Sequence, residues 1–252
     1  MVPMVKKTKS KKPSLISSKN KPLKNRSIKA VLFDLGNTLY DKRQFMESAF
    51  KEVAVFLEKK YKLNRPAGLE LIRRIWKIHT SHYEFLFKEL LDILGIYSVS
   101  RLEKVLSIYH HHQPKLKPYP GINEFLKALK KKYQIGLVTD GYPWMQRNKI
   151  MALGWEKMFD VIIYAAEHLP EYRKPSSLIY QLAAEKLGRR PEETVYVGDN
   201  PYEDFKGARQ IGIFTIRVLQ GEFKDIRLTK GDEADMAINK ITDLRKVLCK
   251  PI

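Results

Sequence analysis

Three apolar runs of this sequence end in polar residues whose types suit the chemistry of phosphate groups. Asp34 ends the first run, the triplet Thr139-Asp140-Gly141 ends the second, and Asp199 ends the third. If these runs are parallel strands, their carboxyl ends meet at one edge of a sheet, where ligands bind in folds of this kind. The sequence therefore predicts that these residues converge on a single site.

The residue types at this site indicate phosphoryl transfer. Asp34 and Asp199, with Asp204 five residues further on, offer the oxygen ligands that a hard cation such as Mg²⁺ takes. Lys174, the hydroxyl of Thr139 and free amides at a helix start would donate hydrogen bonds to a phosphate. Carboxylate, metal, hydroxyl and lysine together can transfer a phosphoryl group through an aspartyl intermediate.

The elements that must position these residues alternate along the chain. The apolar runs lie at 30–34, 134–140, 194–199 and 213–218, with weaker runs at 160–164 and 235–238. Helical patterns lie between them at 121–132, 143–153, 176–188 and 203–211. Short continuous apolar runs suit strands buried on both faces, and their alternation with helices predicts an α/β fold with a doubly wound parallel sheet.

One long stretch after the first run contains no strand pattern. Its amphipathic helical stretches are 43–61, 67–79, 81–94 and 99–112. A crossover between parallel strands needs far less chain than this. We therefore assign 42–117 to an inserted α-helical domain that covers the site, and 30–41 with 118–252 to the α/β core. The aromatic residues of the insert, Trp76, Tyr83, Phe85 and Phe87, are predicted to form its core.

The composition excludes several classes of protein. Hydrophobic residues make up 44% of the 252 residues, enough for a packed core, and a single cysteine, Cys249, excludes a disulfide framework or a cysteine-based zinc cluster. No apolar run approaches the roughly 18–20 residues that span a bilayer. The chain is therefore expected to be a soluble, cytoplasmic protein without a membrane span, and Cys249 is expected to be inert.

The net charge of +19 is unevenly distributed. Residues 1–29 hold ten basic residues and no acidic one. Residues 42–117 hold fifteen basic and eight acidic residues, and the remainder of the chain is close to neutral. The lysine-rich segment 1–29 is predicted to be a disordered arm. Its charge could attract nucleic acid or an anionic membrane. A simply solvated arm is favoured because no aromatic or glycine-rich RNA-binding signature accompanies the lysines.

Four motifs in order resemble those of the haloacid dehalogenase (HAD) superfamily. They are FDLGNTL at 33–39, LVTDG at 137–141, KP at 174–175 and GDNPYED at 198–204. The resemblance runs from about residue 30 to 248 and favours the phosphatase-like branch, whose Rossmann-like core carries a helical type-1 cap. Neither a Gly-x4-Gly-Lys-Ser/Thr loop nor a Gly-x-Gly-x-x-Gly fingerprint occurs, which argues against P-loop nucleoside triphosphatases and dinucleotide-dependent dehydrogenases.

The resemblance implies roles for the residues that handle phosphate. Asp34 would attack phosphorus and become the aspartyl phosphate. Thr139 and the amides of Asp140 and Gly141 would hold the phosphoryl oxygens. Lys174, rather than the neighbouring Arg173, would neutralise charge between phosphate and nucleophile.

The same resemblance implies a magnesium site. Asp34, the backbone carbonyl of Gly36 and Asp199 would bind Mg²⁺, with Asp204 orienting a ligand or a metal-bound water. Thr38 would brace the loop of the first motif.

Gly36 is the one departure from the family pattern. Family phosphatases usually carry a second Asp there, which protonates the leaving group and activates water, a contribution of about 10²–10⁴ in rate. Three interpretations stay open: a substrate whose leaving group needs no proton, an acid supplied elsewhere, or a slow enzyme. The candidate acids are Glu203, Tyr40, Asp41 and one of His110, His111 and His112. For the histidines, a structural place at a helix end is favoured.

These observations predict a Mg²⁺-dependent phosphomonoester hydrolase acting on a small phosphorylated metabolite, such as a sugar phosphate or a nucleotide. One alternative is a haloacid-dehalogenase-type hydrolase, which the intact acidic fourth motif disfavours. The other alternative is a non-catalytic HAD-like binding protein.

Overall fold

The computed structural model describes residues 22–79, 83–229 and 231–248 and contains a six-stranded sheet. The strands are β1 (Ala30–Phe33), β2 (Gln134–Thr139), β3 (Val161–Tyr164), β4 (Thr194–Gly198), β5 (Phe214–Val218) and β6 (Met236–Ile238). Their order across the sheet is β3-β2-β1-β4-β5-β6, and every neighbouring pair is parallel. The predicted doubly wound parallel sheet is confirmed, including its two weaker strands.

Strand β1 lies in the middle of the sheet and is buried on both faces. Val31 and Phe33 pack into one hydrophobic layer, whereas Ala30 and Leu32 pack into the other. Successive side chains of a strand point to opposite faces, so an uninterrupted apolar run is what a strand covered on both sides requires.

Helices cover both faces of the sheet. They are α5 (Ile122–Lys130), α6 (Pro143–Ala152), α7 (Ser177–Lys186), α8 (Lys206–Gln210) and α9 (Leu244–Val247). Local signals start two of them: Pro143 occupies the first turn of α6, and the Ser176 hydroxyl accepts a hydrogen bond from the amide of Leu178 in α7. Helices α5, α6 and α9 pack on one face, and α7 and α8 pack on the other.

The insert after β1 consists of helices in its described part. They are α1 (Arg43–Tyr61), α2 (Arg65–His79), α3 (Tyr83–Ile93) and α4 (Val99–His111). Phe50, Phe87 and Tyr109 form its aromatic centre, with ring centroids 5.2 to 6.4 Å apart. We call α1–α4 the cap.

The predicted aromatic core of the cap is only partly correct. Phe87 is fully buried, but Phe85 is 61% exposed because it lies two positions away on α3, on the outer face of that helix. Trp76 is partly buried and lines a cavity between cap and core. The side chain of Tyr83 lies outside the described part of the structure.

Two adjacent segments connect the cap to the core. Tyr40 and Pro118 form an antiparallel bridge, and the amide of Tyr119 donates to the carbonyl of Leu39 at 3.0 Å. The chain therefore enters and leaves the cap at the same place.

The prediction that all of 1–29 is a disordered arm needs a correction. Leu23 and Ile28 are each 4% exposed and pack into the main core, and Lys29 pairs with Glu193 at 2.6 Å. These two apolar residues interrupt the lysine pattern, and their burial fixes the segment from residue 22 onward. Residues 1–21 and Cys249 lie outside the described residues.

Among the described residues, no helix combines the length and the apolar character needed to cross a membrane.

Candidate active site

The predicted site residues converge at the carboxyl edge of the sheet. Asp34 follows β1, Thr139 ends β2 and Asp199 follows β4, and these three strands are neighbours in the sheet. The amide of Asp34 donates to the carbonyl of Val197 at 2.8 Å, which extends the pairing with β4 by one residue. The nucleophile candidate therefore lies at the end of a strand that is paired on both sides.

Lys174 is buried beneath Asp34 and joins three polar groups. Its Nζ lies 2.7 Å from Asp34 Oδ1, 2.9 Å from Asp204 Oδ1 and 2.6 Å from the Tyr196 hydroxyl, and its side chain is 2% exposed. Burial alone would lower the pKa of Lys174, but the charges of Asp204 and Asp34 outweigh it and raise that pKa. The ammonium group therefore stays charged next to the nucleophile.

Three carboxylates lie close enough together to share a cation. Oxygens of Asp34, Asp199 and Asp204 lie within 4.8 Å of one another. Thr38 Oγ1 lies 3.4 Å from Asp34 Oδ2 and 3.5 Å from Asp199 Oδ1. Asp199 Oδ2 is buried and has no hydrogen-bond partner within the described residues. A buried carboxylate oxygen without a partner, beside two more carboxylates, fits a hard divalent cation.

The electrostatics of the carboxylates support the same interpretation. Burial raises the pKa of Asp199 well above its usual value, and the nearby charges of Asp34 and Asp204 raise it further. Burial and the Asp204 charge also raise the pKa of Asp34, although Lys174 opposes them. A cation bound between these groups would relieve the repulsion that disfavours their ionised forms.

The loop after β2 is organised by the carboxylate of Asp140. It accepts hydrogen bonds from the amides of Gly141 at 2.7 Å and Lys174 at 3.0 Å, and it pairs with Arg173. Arg173, the alternative to Lys174 in the sequence, is thereby held to this loop instead of the nucleophile. Asp140 thus ties the two loops that would hold a phosphate to each other.

Thr139 faces the cavity with its hydroxyl already engaged. Its Oγ1 donates to Gln146 Oε1 at 3.1 Å, and the amide of Gly141 donates to Asp140. Both donors lie beside Asp34 in the lining of one cavity. A phosphate would exchange with these internal acceptors on binding.

Gly36 lines the cavity next to Asp34, as the resemblance implies. Its φ lies outside the left-handed region, and a Cβ added there would meet Lys42 Cβ at 3.6 Å, an ordinary contact. The backbone therefore does not require glycine at this position, and there is space for a Cβ.

The cavity above Asp34 has a volume of about 450 Å³. The cap contributes aromatic and apolar side chains to it, namely Phe45, Met46, Phe50, Trp76 and Tyr109. The core contributes the charged floor and Lys149, and Lys42 at the start of the insert contributes a further lysine. A cavity of this size and lining is typical of small-molecule sites.

Of the candidate acids named from the sequence, Tyr40 and Glu203 line the Asp34 cavity and Asp41 does not. Asp41 pairs with Arg43 and lines a neighbouring cavity. Tyr40 lines the Asp34 cavity, but its hydroxyl is buried, and burial and the Tyr109 and Asp34 groups raise its pKa well above the usual value. Glu203 lines the cavity as well, and partial burial together with the charge of Asp204 raises the pKa of its carboxyl, although part of the side chain reaches the solvent.

The three consecutive histidines occupy structural places at the end of α4. His110 stacks on Tyr142 with centroids 4.3 Å apart, His111 contacts the carbonyl of Ser107, and His112 contacts the Ser48 hydroxyl. None of them is among the described residues that line the Asp34 cavity.

Two residues of the site were not anticipated from the sequence. Tyr196 alternates with the valines of β4, and its hydroxyl binds Lys174 and Asp204. Lys149 lies three positions after Gln146, one turn further along the face of α6 that lines the cavity. The available signals were a hydroxyl inside an apolar strand and a lysine at helical spacing from a buried polar residue.

Comparison with known proteins agrees with the geometry. A family model described as haloacid dehalogenase-like hydrolase matches residues 31–218. The glyceraldehyde 3-phosphate phosphatase of Methanocaldococcus jannaschii is 32% identical over 222 residues, covering 86% of this chain and 95% of that protein. The protein of the same name from Methanopyrus kandleri is 30% identical over 236 residues, covering 88% of this chain and 97% of that protein.

A solved structure agrees over nearly its whole length. The HAD phosphatase of Thermococcus onnurineus has a TM-score of 0.63 at 27% identity and covers 89% of this chain and 99% of its own. The fold, the four motifs at the strand ends and the family match point to the same assignment. This chain belongs to the haloacid dehalogenase-like hydrolase family and is a hydrolase of the phosphatase kind.

Proposed function

We propose that this chain is a Mg²⁺-dependent phosphomonoesterase that acts on a small phosphorylated metabolite through an aspartyl phosphate on Asp34. The observation that carries the proposal is the placement of Asp34. Its carboxylate lies at the floor of a covered cavity, 2.7 Å from Lys174 Nζ and grouped with Asp199 and Asp204. A carboxylate nucleophile beside a lysine and a potential metal site matches aspartyl-phosphate chemistry.

The residues of the chain would carry out two steps. In the first, an Asp34 oxygen bonds to phosphorus and the bond from phosphorus to the leaving oxygen of the substrate breaks, while Lys174 compensates the charge and Thr139 holds a phosphoryl oxygen. In the second, water attacks phosphorus and the Asp34–phosphorus bond breaks. Mg²⁺ held by Asp34, Asp199 and the Gly36 carbonyl, with Asp204 in support, would neutralise charge on the phosphoryl group.

The cavity supports a small substrate. The cavity has a volume of about 450 Å³, and the cap closes it on one side. The relatives reported above carry the name of an enzyme acting on glyceraldehyde 3-phosphate, a three-carbon phosphate. The names of these relatives favour a sugar phosphate over a nucleotide as the substrate.

A substrate panel tests the proposal. The wild type is assayed with Mg²⁺ against triose and hexose phosphates, nucleotides, and aryl, acyl and anomeric phosphates, by release of inorganic phosphate. We expect turnover that disappears in EDTA and returns with Mg²⁺. A complete absence of turnover would favour a non-catalytic binding protein. Halide release from haloacids that persists in EDTA would favour dehalogenase chemistry.

A further inference from the structure

We propose that Lys149 takes the place of the carboxyl group missing at position 36, giving a proton to the departing oxygen and later taking one from the attacking water. This inference rests on the proposed phosphatase function and concerns a residue that none of the four motifs contains. Three features of the structure lead to it: the position of the amine, its lack of a carboxylate partner, and its electrostatic surroundings.

The amine of Lys149 lies between the phosphate-binding loop and the cap. Its Nζ is 4.5 Å from the centroid of the Phe45 ring in α1 and 3.5 Å from Gln146 Oε1. The same Gln146 oxygen accepts a hydrogen bond from the Thr139 hydroxyl at 3.1 Å. In an in-line displacement the departing oxygen lies opposite the nucleophile. With Asp34 at the floor of the cavity, that oxygen faces the cap, on the side where Lys149 is placed.

The other cations around the cavity are held by carboxylates. Lys174 binds Asp34 and Asp204, Arg173 pairs with Asp140, and Lys42 pairs with Glu222. Among the described residues lining the cavity, Lys149 is the cation for which the structure shows no carboxylate within ion-pair distance. It is therefore available to exchange a proton with a bound molecule.

The surroundings of Lys149 suit a group that gains and loses a proton near neutrality. Burial, with a smaller contribution from the charge of Lys42, lowers the pKa of Lys149 to about 7, against the opposing effect of Asp34. From the cap, Phe45 of α1 and His110 of α4 face the amine, and the pKa of His110 is itself lowered to about 4 by burial and by His111 and Lys149. His110 is neutral above that pH, so it adds no charge. An acid whose pKa lies near the working pH is the most effective in general acid–base catalysis.

The proton balance closes over the two steps. As Asp34 bonds to phosphorus and the bond from phosphorus to the leaving oxygen breaks, the Lys149 ammonium gives a proton to that oxygen. The neutral amine then takes a proton from water as the water oxygen bonds to phosphorus and the Asp34–phosphorus bond breaks. Lys149 returns to the ammonium form, and no further reactant is needed.

The first test compares leaving groups in the Lys149→Met variant, whose side chain keeps the length and the packing against Phe45. For an alkyl phosphate, kcat/KM should fall by about 10²-fold or more, as expected for loss of an acid. For an aryl phosphate with a good leaving group it should fall far less. Lys157→Met, which removes an exposed lysine outside the cavity, should change neither value.

The second test is the pH profile. In the wild type, kcat/KM for an alkyl phosphate should fall as the pH rises above about 7, because the ammonium form is lost. The aryl phosphate should not show this decline. Lys149→Arg keeps the charge but does not release its proton, so the decline should disappear while the alkyl rate stays low. Without substrate, acylation of Lys149 followed peptide by peptide by mass spectrometry should show a midpoint near pH 7.

Three outcomes would overturn the inference while leaving the phosphatase function intact. One is an unchanged ratio of alkyl to aryl rates in Lys149→Met. Another is a rise in KM alone, which would make Lys149 a binding site for an anionic group of the substrate. The third is that the decline of kcat/KM with rising pH persists in Lys149→Met and disappears in Glu203→Gln. Failure of the phosphatase function has a different signature, because the wild type would then release no phosphate from either class of substrate.

Discussion

Asp34 lies between the ammonium group of Lys174 and the carboxylates of Asp199 and Asp204. The proposed attack on phosphorus requires Asp34 to be an ionised carboxylate. Asp34→Asn keeps the size of the side chain and removes the nucleophile. We expect kcat to fall by about 10⁴-fold or more, whereas the unfolding temperature should not fall, because burial disfavours the ionised form that is removed. Phosphate release and thermal unfolding, measured on the same preparation, check this. Substantial Mg²⁺-dependent turnover by the folded variant would contradict the nucleophile assignment.

Asp199 offers a test of the metal site that does not depend on activity. Its pKa is raised by burial and by Asp34 and Asp204, so its ionised form destabilises the metal-free protein as the pH rises above the pKa of an unfolded Asp. Asp199→Asn should therefore raise the metal-free unfolding temperature at pH 7.5, by about 2–4 °C for each kcal/mol of repulsion removed. The same change should abolish the stabilisation that Mg²⁺ gives the wild type.

The pH dependence of that stabilisation has a defined sign. Protons compete with Mg²⁺ for the Asp199 carboxylate, so the wild-type shift should shrink as the pH falls from 7.5 to 5. Differential scanning fluorimetry with Mg²⁺, and with a monovalent salt at equal ionic strength, separates binding from general salt effects. A Mg²⁺ shift that survives in Asp199→Asn would place the cation elsewhere.

Gly36 and Lys149 can be tested against each other. Position 36 has space for a side chain to start, since a new Cβ would lie 3.6 Å from Lys42 Cβ, an ordinary contact. In a Lys149→Met background, Gly36→Asp should recover alkyl phosphate hydrolysis by about 10-fold or more, since proton donation is worth about 10²–10⁴. Aryl phosphate hydrolysis should change little. Equal recovery for both substrates would mean that the carboxylate acts on binding rather than on the leaving group.

At the residue scale, the sequence is sufficient to predict site residues where a chemically suitable side chain follows the end of a strand. Asp34, Thr139 and Asp199 could be placed together because each follows an apolar run, and parallel strands bring such ends to one edge. Tyr196 and Lys149 could not be identified, because a tyrosine in a strand and a lysine in a helix usually serve packing and solvation. Their roles depend on what lies opposite them, and only the folded chain shows that.

Helix α8 packs unusually closely against the loop that carries Lys174. A Cβ added to Gly207 would lie 2.1 Å from the carbonyl oxygen of Pro175 and 2.7 Å from the carbonyl carbon of Ser176. Gly207→Ala must push the helix and the loop apart, at a cost of about 1–3 kcal/mol or more. We expect a lower unfolding temperature together with a lower kcat, since Lys174 precedes the displaced backbone.

A matched control is available in the same part of the chain. Gly231 has ample space, with Thr229 Oγ1 at 3.8 Å as its near neighbour, and its φ is not in the left-handed region. Gly231→Ala should change stability by less than about 0.5 kcal/mol. Chemical unfolding of both variants gives the comparison, and equal effects would show that contact with the Lys174 loop is not the cause.

At the scale of elements, periodicity predicted where helices and strands lie better than where they end. The helix expected over 203–211 is only Lys206–Gln210, because the preceding residues form a turn. In that turn the amide of Asn200 donates to Asp204 Oδ2 at 2.9 Å, and the amide of Asp204 donates to the Asn200 carbonyl at 3.0 Å. The helical pattern includes Asp204, but its carboxylate is used to close the turn and bind Lys174.

The charge of the whole molecule should influence how substrate arrives. The segment 42–117 has a surplus of seven positive charges, and Lys42 and Lys149 lie in the cavity that it covers. Such a field attracts an anionic substrate, and salt weakens it as the screening length falls from about 30 Å at 0.01 M to about 3 Å at 1 M. We expect kcat/KM to fall about tenfold over this range, with kcat nearly constant.

A reversed-charge variant checks the origin of that effect. Lys59 and Lys60 are exposed on α1, outside the cavity. Changing both to Glu should lower kcat/KM at low salt and flatten its salt dependence, with Mg²⁺ held constant throughout. A salt effect on kcat alone would point to the chemical step instead of substrate encounter.

The paired segments at Tyr40 and Pro118 have a consequence for how such proteins diversify. Because the chain leaves the sheet and returns to it at neighbouring points, everything between them is topologically one long loop of the core. An exchange of that loop by recombination would alter neither the strand order nor any of the four motifs. Selection on the choice of substrate and selection on phosphoryl transfer can therefore act on different stretches of the same gene.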